Sequence, residues 1–138
     1  SSDLYSAKYY VCPSLLLASE AVDRGNKAYV YSFNRHREGL LAESMGAYHG
    51  AELPYVFDTH DDWLPTTDVD YQLTEAMQTY WVNFAKDGNP NGEEGVNDSS
   101  PPLWPRYVAN TDTVQVLDDS ITRSAHSSQF LCDVLAPH

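Results

Sequence analysis

Met45-Gly46-Ala47-Tyr48-His49-Gly50-Ala51-Glu52-Leu53-Pro54-Tyr55-Val56-Phe57 sets one histidine between two glycines and follows it with an apolar, strand-like run. Glycine tolerates left-handed backbone and lets chain segments approach closely, so an imidazole placed here can be aimed from a turn. Such a histidine is either a catalytic base or a core group bonded to backbone, and the stretch by itself leaves both readings open.

Working outward from His49, residues 34–52 show scattered Gly, His and charge with no sustained period, which predicts a long loop of the kind that often carries function. Before it, Ala28-Tyr-Val-Tyr-Ser-Phe33 is β-branched and aromatic and follows a Gly-Asn-Lys turn, as a buried strand does. Further back, Leu15, Leu16, Leu17, Ala18, Ala21 and Val22 form an apolar stripe at helical spacing, bounded by Pro13 and Gly25. That predicts a helix over roughly residues 13–24. Helix into strand makes an α/β unit.

Beyond the motif, Leu73, Met77, Tyr80, Trp81 and Phe84 recur at spacings of three and four, giving an amphipathic helix over residues 69–86 with Asp68 and Asp70 suited to its start. Asp87-Gly-Asn-Pro-Asn-Gly92 ends it, and the polar, breaker-rich stretch through Pro102 reads as an exposed loop. Thr113-Val-Gln-Val-Leu117 alternates as a half-buried strand, and Ile121 to Leu135 reads as a terminal helix stopped by Pro137. Two strands and about three helices are thin for a self-sufficient α/β domain, whose open sheet usually has about 4–6 strands. The pattern points to a missing part.

Composition narrows the function classes. Lys plus Arg total 8 against 20 Asp plus Glu, a formal charge of −12 that repels phosphate backbones and argues against nucleic acid as a partner. No apolar run reaches the roughly 20 residues of a membrane helix, so no membrane span is expected. The sequence holds no G-x-S-x-G, no P-loop and no dinucleotide fingerprint, so any active site is partial or unconventional and no cofactor is implied. Asp58-Thr-His-Asp-Asp62 brings oxygen and nitrogen donors together, yet spacing fixes no metal geometry and such runs are usually solvated, so no metal is assigned. His36, His60, His126 and His138 lack a recognisable partner and read as surface histidines. Cys12 and Cys132 are too far apart for a metal or redox motif, leaving buried free thiols or a bridge.

The segment 45–57 resembles the histidine motif of the type-B carboxylesterase and cholinesterase family of α/β-hydrolases. Cys12-Pro13, Tyr29-Val-Tyr-Ser-Phe33, Met77-Gln-Thr-Tyr-Trp-Val-Asn-Phe-Ala85, Gly88-Asn-Pro-Asn91 and Trp104-Pro105 follow in the family's order. The resemblance implies an α/β fold in which residues 1–138 are the C-terminal portion of one α/β-hydrolase catalytic domain. A central, mostly parallel sheet flanked by helices would be completed by an upstream portion of the same protein, in a separate chain or segment. It implies a serine carboxylic-ester hydrolase acting on a small-molecule ester, with His49 as the triad base and the serine and acid upstream.

By the same resemblance Glu52 lies behind His49 in a buried polar network, and Met45 and Tyr48 approach the substrate pocket. Ser44 replaces a tryptophan that lines the choline site in cholinesterases, which makes choline esters doubtful substrates. Cys12 and Cys132 fall where relatives carry a disulfide, implying a secreted protein or another oxidising compartment, extracellular or periplasmic. Asn97-Asp-Ser99 is a possible N-glycosylation site in the predicted loop. A non-catalytic adhesion or binding domain is the alternative, because cholinesterase-like domains can lose the nucleophile.

Overall fold

A proline near the start of a long helix decides the shape of the N-terminal segment. In the computed structural model, which describes residues 2–93, 97–125 and 132, α1 (Ser2–Ser6) runs into a π-helical turn over Ala7–Val11 and then into α2 (Cys12–Asp23). Pro13 has no N–H to offer, and its ring crowds the carbonyl one turn back. The ladder accommodates it by widening, with Cys12 N–H bonded to Ala7 O five residues earlier. The helix closes where expected, Gly25 N–H bonding Val22 O at 2.9 Å and Asn26 N–H bonding Ala21 O at 3.0 Å.

The described residues fall into two compact units. The first takes residues up to Tyr31, then 105–115, then those from Arg123 on. Its core joins Leu15 and Ala18 of α2 to Tyr107 and Val114, with Val22, Ala28, Val30, Ala109 and Cys132 packed around them. Cys12 and Cys132 form a disulfide that ties the start of α2 to the C-terminal segment. Tyr107 donates to Asp112 Oδ1 at 2.5 Å, so the one polar tip in this core is satisfied, and burial is the first cause that pushes its phenol pKa up.

The second unit takes residues 32–104 and 116–122 and is organised on α5 (Asp68–Asp87). Thr67 caps this helix in a reciprocal capping box with Asp70, the side chain of Asp70 reaching back to the Thr67 N–H at 2.8 Å. Leu73, Met77 and Tyr80 are buried along the anticipated stripe, whereas Trp81 is partly covered and Phe84 half-exposed. The breaker-rich segment after α5 is anchored more firmly than its polarity suggests. Pro90 is buried, Asn91 pairs with both backbone groups of Trp104 at 2.8 and 2.9 Å, and the Tyr80 hydroxyl donates to Pro102 O.

Strands β1 (Tyr31–Phe33), β2 (Val114–Leu117) and β3 (Thr122–Ser124) form a sheet in the order β1-β2-β3. Three expectations change here. The run from Ala28 is a strand only from Tyr31 on, although Ala28 O and Val30 O still accept backbone bonds from Tyr107 and Gln115. As the middle strand, β2 is covered on both faces, with Val114, Gln115 and Leu117 all buried, so it does not alternate. Residues 122–124, expected in a terminal helix, pair as β3, and 126–131 and 133–138 lie outside the described residues.

The loop expected over residues 34–52 contains a short helix, α3 (Leu40–Met45), and the strand-like Leu53–Phe57 is a single helical turn, α4. Pro54 is the reason for the second difference, since it fits the first turn of a helix where no N–H is needed, and Asp58 in the left-handed region closes that turn. A five-residue apolar run cannot be told from a strand by periodicity.

Candidate active-site loop around His49

The loop is built between α3 and α4. Gly46 ends α3 at φ 60°, ψ −155°, a conformation an L side chain does not adopt comfortably, and bonds Ala42 O at 2.9 Å. Gly50 sits at φ +85°, and the backbone bonds Ala51 N to Tyr48 O and Leu53 N to Gly50 O carry the chain into α4. Two glycines therefore fold the chain back on itself around His49. The His49 side chain is exposed, as a base that must meet a reacting group requires.

The other sequence-predicted residues divide. Glu52 is half-buried at the entry to α4, where its carbonyl accepts from Tyr55 and Val56 N–H, and among the described residues its carboxylate makes no hydrogen bond to His49. Met45 is exposed near the loop. Tyr48 lines a small cavity of about 10 Å³, room for roughly one water, with Arg35, Arg37, Tyr55, Ala42, Ala51 and Leu64. Ser44 is exposed on α3. Asn97 is exposed in a turn where its Oδ1 accepts from Ser99 N–H.

Beneath the loop lies a buried polar network that the sequence reading missed. Asp70 is fully buried, and its Oδ1 accepts from Arg35 Nε at 2.8 Å and from the Tyr55 hydroxyl at 2.6 Å. Its Oδ2 accepts from the Thr67 backbone at 2.8 Å and the Thr67 hydroxyl at 2.9 Å. Burial works against the Asp70 charge, but the bonds from Arg35, Tyr55 and Thr67 outweigh it and hold the carboxyl well below its usual range. Burial, then the neighbouring carboxylate, pushes the Tyr55 phenol up, so it stays a donor. Arg35 also bonds Asp119 at 2.7 Å, and Arg37 bonds Asp61 at 2.9 Å together with the carbonyls of Asp61, Leu64 and Pro65.

One signal was available for this network. Phe33, Arg35 and Arg37 alternate along extended chain, so they share a face: Phe33 packs on Tyr55 at 5.1 Å between ring centroids, the arginines are buried, and His36 between them is exposed. The surface reading of His36 holds, and its ring approaches Gly46. His126 and His138 lie outside the described residues.

His60 is not a surface histidine. Its ring stands edge-on to Tyr55 at 4.8 Å, and its Nε2 lies 2.8 Å from Thr74 Oγ1. The Thr74 hydroxyl donates to Asp70 O, so it accepts from His60, which puts the proton on Nε2. Nδ1 is left buried without a partner, and burial followed by the charge of Arg37 lowers the ring's pKa. Within the run 58–62 His60 is bonded to Thr74 and Asp61 to Arg37, whereas Asp58 and Asp62 are exposed, and no metal-binding group of His, Cys, Asp and Glu is found among the described residues.

The Carboxylesterase family model matches residues 1–131. The chain belongs to that family. It is 32% identical over 110 residues to an acetylcholinesterase of Bungarus fasciatus, covering 78% of this chain and 18% of that protein. It is 32% identical over 137 residues to a human cocaine esterase, covering 93% of the chain and 23% of the relative. Among solved structures, a PNB esterase superposes with a TM-score of 0.63 at 32% identity, over 80% of this chain and 21% of that one. A thermophilic PNB esterase gives 0.64 at 30% identity. This carboxylesterase-family chain thus spans about a fifth of the length of the relatives it matches, and its helices and small sheet are part of an α/β-hydrolase fold.

No helix among the described residues is long and apolar enough to cross a membrane.

Proposed function

We propose that this chain supplies His49 as the general base of a serine carboxylic-ester hydrolase. The observation that carries the reading is the exposed His49 imidazole on a turn folded by Gly46 and Gly50, in a chain of the carboxylesterase family. One ring nitrogen takes the proton of an attacking serine hydroxyl as its oxygen adds to the ester carbonyl. The same proton goes to the departing alcohol, leaving an acyl-enzyme. Water then adds with His49 again as base, releasing the acid and the serine.

The serine, the carboxylate that orients the imidazole and the oxyanion donors come from an upstream portion of the protein. Glu52, whose carboxylate makes no hydrogen bond to His49 among the described residues, is not that carboxylate. The substrate is a small ester. The disulfide between Cys12 and Cys132 supports a secreted or otherwise oxidising location.

The test is His49→Ala in the protein carrying this chain, assayed on an activated aryl ester. Turnover should fall by roughly three orders of magnitude or more, as for loss of a triad base. Near-wild-type turnover in the variant overturns His49 as the base, whereas absence of turnover in the wild type itself leaves a non-catalytic binding domain in its place.

A further inference from the structure

We infer that Tyr55 is a positioning residue for His49, acting through the buried carboxylate of Asp70; the inference rests on His49 being the base. α4 has five residues, too few to hold a helical geometry by its own hydrogen bonds, so its direction must be imposed from outside. Tyr55 is the fully buried side chain of that turn, and its hydroxyl meets Asp70 Oδ1 at 2.6 Å. The same oxygen takes Arg35 Nε, and Arg35 lies on the chain entering the loop, whereas Tyr55 lies on the chain leaving it. One carboxylate on the rigid first turn of α5 therefore grips both stems of the segment 36–54.

The grip reaches the histidine along a short path. Glu52 O accepts from Tyr55 N–H at 3.0 Å, Gly50 O from Leu53 N–H at 3.1 Å, and Tyr48 O from Ala51 N–H at 3.0 Å, so three overlapping turns, 48–51, 50–53 and 52–55, run from the residue before His49 to Tyr55. On the inner side, Tyr48, next to His49 in sequence, shares a cavity wall with Tyr55, Arg35 and Arg37. Asp70 accepts four donors on two oxygens, which leaves it little freedom to turn. Removing the Tyr55 hydroxyl takes away the bond on the exit stem while the ring still fills its site. A base displaced by a fraction of an ångström loses rate in the chemical step more than affinity for substrate.

The experiment is Tyr55→Phe beside His49→Ala, in the protein carrying this chain, on an activated ester and at a temperature where circular dichroism shows each variant fully folded. Tyr55→Phe should lower kcat roughly tenfold with KM within about twofold, and His49→Ala should be inactive. If Tyr55→Phe does not fold, Arg35→Lys, which keeps the charge and loses the fork, is read the same way. A kcat within twofold of wild type, or a loss that appears only in KM, overturns the positioning role. Should Tyr55→Phe behave as wild type while His49→Ala is dead, the inference fails and the proposed function stands; activity retained in His49→Ala removes both.

Discussion

Arg35 and Asp70 meet at 2.8 Å with both side chains withdrawn from solvent, on segments 35 residues apart in the sequence. A buried pair of this kind is costly to break on one side, because the remaining charge is stranded. Asp70→Ala should therefore destabilise the protein by about 3–5 kcal/mol, since it leaves the buried Arg35 with only the exposed carboxylate of Asp119 and also leaves the Tyr55 hydroxyl and the Thr67 N–H without their acceptor. Adding Arg35→Met to Asp70→Ala should cost less than the sum of the two single changes, as expected of residues in one network. Urea denaturation of the two single variants and the double variant measures this directly; additive losses would mean that the pair is not energetically coupled.

Acid should lower the protein's stability over two pH ranges. His60 has a folded pKa below its ordinary value, so the unfolded chain takes up a proton first, and stability that is full above about pH 6.5 declines as pH falls below it. Asp70 also has a depressed folded pKa, so its contribution is full above the ordinary carboxylate range and is lost as pH falls below about 4 toward the folded value. Both terms have the same sign. Thermal melts from pH 8 to pH 3 should show a decline beginning near pH 6.5 that His60→Gln removes, with the steeper loss below about pH 4 kept.

These two residues show where the sequence was legible. α2 and α5 were read from long apolar stripes with stop signals, and the His49 turn from its glycines, because those cues are local. Tyr55, Arg35 and His60 were not, since each takes its meaning from partners 14 to 35 residues away, and Asp70 was read only as a residue suited to a helix start, its bonds to Arg35 and Tyr55 lying beyond any local pattern. The short elements failed for a related reason. In α4 five residues carry no decisive period, and Pro54 was weighed as part of a strand-like run rather than as a helix starter. In β3, Thr122–Ser124 acquires its state from pairing with β2, which nothing within residues 121–135 announces.

Met77 is completely buried in the middle of α5, between Leu73 and Tyr80 on the covered stripe. Truncation there removes three heavy atoms from packed surroundings and leaves a cavity that the helix cannot close by itself. Met77→Ala should cost about 2–5 kcal/mol, whereas Met77→Leu, which nearly conserves volume, should cost less than about 1.5 kcal/mol. Equal losses for the two variants in equilibrium unfolding would show that packing volume is not what the site requires.

The disulfide between Cys12 and Cys132 closes a loop spanning 120 residues, nearly the whole chain. Its main effect is on the unfolded ensemble, where a cross-link over so long a loop removes conformational freedom worth about 4–5 kcal/mol in the chain-entropy description. It also fixes Cys132 against the core made by Leu15, Ala18, Tyr107 and Val114, so its loss should loosen the first unit in particular. Cys12→Ser with Cys132→Ser should lower Tm substantially, and wild-type protein in strong reductant should follow the variant. Hydrogen exchange should show the loss of protection concentrated in α2 and around Tyr107, with α5 retaining more of its own, because α5 is held by Leu73, Met77, Tyr80 and the Asp70 network. Uniform loss along the chain would mean that the two units unfold as one, and the cross-link would then act on the whole protein rather than on the part it joins.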